Sequence, residues 1–391
     1  MGVSDPMQMT ARDILDKIVS FATVSRDSNL PLVAWMEGYL ASHGVESHRV
    51  YDETGEKASL YAHIGPEIEG GVILSGHVDV VPVDGQDWHT DPWEVVEKDG
   101  KLYGRGTTDM KGFVALALAE VPALVAADLK RPVQLAFSYD EEVGLLGAPD
   151  LAIALRDKMP TASAAIIGEP TGMKVVTGHK SCDACFVEVS GYEVHSSKPH
   201  DGVSAVMVAA RLIEWLSKRC DANREAPVDP LDELFDPPYT TLHVGMVNGG
   251  TAHNITAKTC TFSVDVRNCP STMDGREFAA FKAYCDSVDA ELKARHPEAG
   301  VLCRMLAPGP GVAPEENGAA EELARRLTGD NSVNTVPYGT DGGWFQHHGF
   351  STVICGPGDI ALAHQPNEFI TIEQFEAGAA FLRKLTADLS A

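Results

Sequence analysis

The chain is 391 residues long, with 44% hydrophobic, 22% charged and 7% aromatic residues, a length and balance that exclude a disulfide-stapled miniprotein, a disordered chain and a fibrous one. Its 31 Lys and Arg stand against 56 Asp and Glu, for a net charge of −25. Nucleic-acid backbones and anionic membrane surfaces are therefore repelled, whereas cationic ligands and divalent metals are favoured.

The N-terminal MGVSDPMQMTARDILDK has no basic segment followed by an apolar one, and no apolar run of about 18 residues occurs later. Neither a secretion signal nor a transmembrane helix is predicted, and the expected location is cytoplasmic. Thr10, three residues before Asp13, is read as the N-cap of a first helix carrying Ile14, Ile18 and Phe21 on one face. A second helix is expected over about 32–42, stopped by Gly44. Short apolar runs then alternate with helical patterns: strands at 72–74, 133–139 and 164–167, a helix after Met110 and another at 148–156. This order predicts an α/β fold whose catalytic domain has a mostly parallel central sheet.

The pattern changes after Glu169-Pro170-Thr171-Gly172. Runs at 186–189, 241–247 and 259–266 alternate like half-exposed strands around a helix at 203–216, with a Pro-rich surface loop at 226–238. A helix at 275–295 follows. The α/β pattern is read as resuming with a strand at 301–306, a helix at 315–327, a strand at 352–355 and a terminal helix at 373–389. The expected organisation is a catalytic domain (1–175 and 291–391) interrupted by a smaller α+β domain (176–290). The eight scattered cysteines are read as reduced thiols. The pair Cys182 and Cys185 lies in a strand-like run without the second pair a zinc knuckle needs, so its role stays open.

Several acidic and histidine residues fall at strand ends, where open α/β sheets place their ligands. In Ser75-Gly76-His77-Val78-Asp79 an imidazole can bind a metal while Asp79 fixes its tautomer; the same residues also fit a turn histidine beside a solvated acid. In Gly104-Arg105-Gly106-Thr107-Thr108-Asp109 a glycine turn can present Asp109 as a ligand or merely as a helix cap. The adjacent acids Asp140-Glu141-Glu142 repel one another unless a cation or solvent intervenes. Glu169 directly follows an apolar strand, and His364 lies in the loop Ala363-His364-Gln365-Pro366-Asn367-Glu368. Two histidines and three carboxylates, His77, Asp109, Glu142, Glu169 and His364, are what a two-zinc site needs if one carboxylate bridges.

These motifs, SGHVDVVPVDGQDW, GKLYGRGTTDMKGF, SYDEEVGLLGAP, IIGEPTGMKVVTGHK, GYEVHSSKP, GGTAHNITA, YGTDGGWF and AHQPNEFI, occur in the order found in the M20 metallopeptidases. The chain resembles that family over essentially its whole length, and within it the acetylornithine deacetylase branch. The resemblance implies one zinc held by His77 and Glu169 and a second by Glu142 and His364. Asp109 would bridge them ahead of a cis peptide, with Asp79 orienting His77. It further implies Glu141 as general base and two Zn2+ per subunit, replaceable by Co2+. The smaller domain would serve as lid and dimerisation domain, lending His195 to the oxyanion of the partner's site. Arg267 resembles the residue that pairs with the substrate carboxylate. Asn254 and the turn 339–343, including Gly342, resemble further substrate contacts.

The implied reaction is removal of acetyl from N2-acetyl-L-ornithine by a homodimer. The alternatives are succinyl-diaminopimelate desuccinylation or another N-acyl amino acid hydrolysis, dipeptidase or carboxypeptidase action, and a catalytically silent binding protein. The chain departs from the branch pattern at Ser181, where members usually carry Gly.

Overall fold

A computed structural model describes residues 9–391. The chain forms two units: a larger one running to Gly178 and resuming over Val312–Thr335 and Thr340–Ala391, and a smaller one over His179–Gly311 with Val336–Gly339.

In the larger unit the strand Gly71–His77 is buried along its whole length. It pairs in parallel with Val133–Ser138 on one side and Ala162–Pro170 on the other, and Ala162–Pro170 pairs in parallel with Thr352–Gly356. Strands buried on both faces need continuous apolar runs, which is why these four were visible in the sequence. The sheet has eight strands and is mixed. Two strands absent from the sequence reading, Ser47–Tyr51 and Ala58–Ile64, extend it antiparallel beyond Val133–Ser138. Because His77 is level with Ser138, the carboxyl ends of the central strands deliver His77, the acid loop after Ser138 and Glu169 to one rim.

The helix Lys111–Ala126 begins just past that rim and is buried on nearly every side. It lies so close to the sheet that a Cβ on Gly168 would sit 2.0 Å from Phe113 Cγ. Only glycine fits there. A separate antiparallel sheet of Val96–Lys98, Lys101–Tyr103 and Phe369–Thr371 pairs Tyr103 with Phe369. It thereby fastens the glycine turn before Asp109 beside the loop that carries His364. At the start of the described chain, Thr10 and Asp13 cap the first helix reciprocally: Asp13 N donates to Thr10 Oγ1 at 3.2 Å and Thr10 N to Asp13 Oδ2 at 2.8 Å.

The smaller unit is a four-stranded antiparallel sheet in the order Thr241–Gly249, Thr259–Arg267, Asp183–Ser190, Gly300–Ala307. Thr259–Arg267 alternates strictly, turning Cys260, Phe262, Val264 and Val266 onto the helices Ala205–Glu225 and Arg276–Arg295. The strand at 300–307 corrects the sequence reading. The apolar run predicts a return of the α/β pattern, but the strand pairs antiparallel with Asp183–Ser190. Cys185 belongs to this apolar core, and among the described residues no cysteine forms a disulfide. No helix among the described residues is long and apolar enough to cross a membrane.

Candidate metal centre

His77 ends its strand with an imidazole that is 1% exposed. Its Nδ1 lies 2.9 Å from the carbonyl oxygen of Asp79 and 3.5 Å from that residue's carboxylate. A carbonyl can only accept, so Nδ1 carries a proton and Nε2 is the nitrogen that faces the acids. There Nε2 meets Asp109 Oδ1 at 3.0 Å and Glu169 Oε1 at 3.7 Å. The other oxygen of Asp109, Oδ2, is 3.2 Å from His364 Nε2, which in turn lies 2.9 Å from Glu142 Oε2. Asp109 thus divides its two oxygens between two imidazoles. The peptide bond that follows it is cis.

Asp79 also organises the acid loop. Its carboxylate accepts from Ser25 Oγ at 2.7 Å and from the backbone N–H groups of Glu141 at 3.1 Å and Glu142 at 3.3 Å. Burial pushes Asp79 up, but His77 and these donors outweigh it and hold the carboxyl below its usual range. Glu141, Glu142 and Glu169 go the other way. Burial raises all three, reinforced by the Glu169 charge at Glu141 and by the Asp109 charge at Glu142 and Glu169. The same crowding holds His364 protonated up to about 10, through Asp109 and Glu142.

This array fits divalent cations. One donor atom each from His77, Glu141 and Glu169 lie within 4.8 Å of one another, and so do donors from His77, Asp109 and Glu142. The donors are imidazole nitrogen and carboxylate oxygen with no thiolate, a set that suits zinc or cobalt. A cation entering here displaces the protons that the carboxylates otherwise hold on the two imidazoles. Sequence reasoning missed Ser25, whose only signal was its place in a short polar segment. It also missed the pairing of Asp341, whose Oδ2 accepts from the buried Ser138 Oγ at 2.5 Å. Burial pushes Asp341 up to about 6, although Ser138 lowers it.

Of the remaining residues singled out in the sequence, Gly342 belongs to the larger unit and His195, Asn254 and Arg267 to the smaller. Gly342 opens the short helix Gly342–His347 of the larger unit, its N–H donating to Thr340 Oγ1 at 3.1 Å. In the smaller unit, His195 and Asn254 lie on adjacent segments joined by the bridge His195 to Ile255. Ser197 N donates to His195 Nδ1 at 3.2 Å, so the exposed ring carries its proton on Nε2. Arg267 Nε donates to Asp265 at 3.0 Å. Ser181, the departure from the branch pattern, accepts from Asn268 N and Nδ2 at 3.0 and 2.9 Å; its hydroxyl is a structural fixture of the smaller unit.

A mixed α/β sheet whose strand ends converge on two histidines and four carboxylates is the framework of a metal-dependent hydrolase. The chain belongs to the peptidase family M20/M25/M40, whose model matches residues 73–388. It is 35% identical over 382 residues to the acetylornithine deacetylase of Myxococcus xanthus, covering 96% of each chain. It is 31% identical over 362 residues to that of Pasteurella multocida, covering 92% of this chain and 91% of the relative. Its fold matches that of an M20 family metallo-carboxypeptidase from Sulfolobus solfataricus with a TM-score of 0.74 at 18% identity, covering 98% of this chain and all of that one.

Proposed function

We propose that the protein removes the acetyl group from N2-acetyl-L-ornithine, releasing L-ornithine and acetate, with two zinc ions in the array around Asp109. The observation that carries the two-ion reading is the division of the Asp109 oxygens between His77 and His364. His77 and Glu169 would hold one ion, Glu142 and His364 the other, with Asp109 between them. When bound, such ions polarise the acyl carbonyl and make a nearby water acidic enough to attack it at neutral pH.

Glu141 is the general base in this reading. It is not needed as a ligand, its backbone is fixed by Asp79, and burial beside Glu169 raises its proton affinity. It takes the proton of the attacking water and returns it to the amine nitrogen as the amide bond breaks. His195, with its proton on Nε2, donates to the developing oxyanion in a homodimer, and the smaller unit serves as lid and dimerisation domain. Arg267 pairs with the substrate α-carboxylate, and Asn254 and Gly342 contact the substrate.

The names of the relatives support acetylornithine, and the charge balance agrees. Ornithine presents a side-chain ammonium, which suits a chain of net charge −25. N-succinyl-diaminopimelate keeps an ammonium but adds carboxylates, which call for further cations. Among the described residues, the buried Lys and Arg side chains of the larger unit are already committed: Lys111 donates to the carbonyls of Ile18 and Phe21, and Arg105 pairs with Glu368. The test is hydrolysis of N2-acetylornithine, N-succinyl-diaminopimelate, a neutral N-acetyl amino acid and a dipeptide side by side, each with and without chelator. Chelator-sensitive preference for acetylornithine is expected. Preference for another amide discards the substrate but keeps the chemistry, and a metal-independent rate discards both.

A further inference from the structure

Behind Asp109 lies a pair of buried charges that the mechanism does not use. Glu368 and Arg105 are 2% and 1% exposed, and Arg105 Nη1 donates to Glu368 Oε2 at 2.7 Å. The other oxygen, Oε1, accepts from the N–H of Thr108 at 2.9 Å and of Asp109 itself at 3.1 Å. Glu368 therefore grips the backbone of the residue whose side chain lies between the two imidazoles. The far side of Arg105 reaches the other histidine loop: Nη2 donates to Gln86 Oε1 at 2.6 Å, and Gln86 Nε2 donates to the carbonyl oxygen of His364 at 3.0 Å. A closed circuit thus joins Asp109, Glu368, Arg105, Gln86 and His364.

His364 needs such support. Its φ of +63° places a non-glycine residue in left-handed backbone, a conformation that persists only where the surroundings impose it. Its loop carries no strand hydrogen bonds of its own until Phe369. His77 and Glu169, by contrast, lie within strands of the central sheet.

We propose that Glu368 and Arg105 are positioning residues, a clasp that sets the ion position shared by Asp109, Glu142 and His364 and leaves the position at His77 and Glu169 to the sheet. The proposal rests on the two-ion reading. Outer partners that orient ligands characteristically change metal affinity by roughly 10- to 100-fold when lost. A buried pair must also not be broken carelessly, because the surviving charge destabilises the fold. Two variants separate these effects. Glu368→Gln keeps an oxygen for the two amides and loses the charge facing Arg105; Glu368→Gln combined with Arg105→Met leaves no buried charge unpaired.

The measurement is calorimetric titration of the metal-free full chain with zinc alone, alongside the melting midpoint of the metal-free protein. In both variants one zinc affinity is expected to fall by roughly 10- to 100-fold while the other stays at the parent value. Unchanged affinities in the folded double variant overturn the clasp. So does an equal fall at both positions that follows a lowered metal-free midpoint, since that is a merely structural role. If the parent binds a single ion, the two-ion reading fails; the clasp then stands if Glu368→Gln weakens that ion and falls if it does not.

Discussion

Asp79 shows how one buried carboxylate can serve several neighbours at once. Its backbone oxygen sets the His77 tautomer, and its side chain fixes the amides of Glu141 and Glu142, so the proposed base and the proposed ligand are aligned by one residue. In the sequence the spacing of His77 and Asp79 was legible, but the reach of Asp79 to Ser25 and to the acid loop was not, because those partners are 54 and 62 residues away. Separating base from ligand yields a direct expectation. Glu141→Ala should lower kcat by roughly 10²- to 10⁴-fold while bound zinc, measured by atomic absorption, stays at the parent level; loss of zinc along with activity would make Glu141 a ligand instead. A second expectation concerns Lys111. Burial pushes its ammonium from the usual 10.5 down to about 7, against the opposing pull of Asp79 and Glu368. Between those values the unfolded chain binds a proton that the folded chain lacks, so stability rises with pH across that window. The slope of melting temperature against pH from about 7 to 10 should therefore flatten in Lys111→Met. Equal slopes in parent and variant would mean that Lys111 stays charged in the fold.

At the scale of elements, close approach decides more than composition does. Gly168 lets the helix that starts behind Asp109 lie directly on the strand that presents Glu169, with Phe113 filling the place of a side chain. Gly168→Ala should destabilise the protein by about 1–3 kcal/mol in urea unfolding, the usual cost of overpacking, and Phe113→Leu should recover part of that loss in a double-mutant cycle. No recovery would mean that the ring is not the obstacle. The same scale explains what the sequence hid. Ser47–Tyr51 is an edge strand of SHRVY with no fully buried residue, so it carries neither an apolar run nor clean alternation. The helix Ala205–Glu225 continues nine residues past its expected end at Leu216, because SKRCDANRE faces solvent and shows no apolar period although nothing in it breaks a helix. Gly300–Ala307 is legible as a strand, but its layer is not. Its partner, Asp183–Ser190, lies more than a hundred residues earlier, and periodicity reports burial rather than neighbours.

For the whole molecule, the two hydrophobic cores draw on different residues: one gathers Ile14 through Leu389 of the larger unit, the other Cys185 through Cys303 of the smaller. Every candidate ligand belongs to the larger unit. Ligand that binds only the folded form stabilises it by mass action, about 2.7 kcal/mol at a hundred times Kd. Differential scanning calorimetry should then resolve two transitions, of which zinc raises only one; a single transition that zinc shifts as a whole would mean that the units unfold cooperatively. The interrupted larger unit also has a consequence for how the protein is made. A ribosome that has produced His77, Asp109, Glu142 and Glu169 must still synthesise the entire smaller unit before His364 emerges, roughly 10–40 s later at ordinary elongation rates. The nascent chain spends that interval with the central sheet lacking Thr352–Gly356 and the acid cluster lacking its second imidazole. In the two-ion reading, full metal capture would thereby wait for His364, when the smaller unit has already had time to fold.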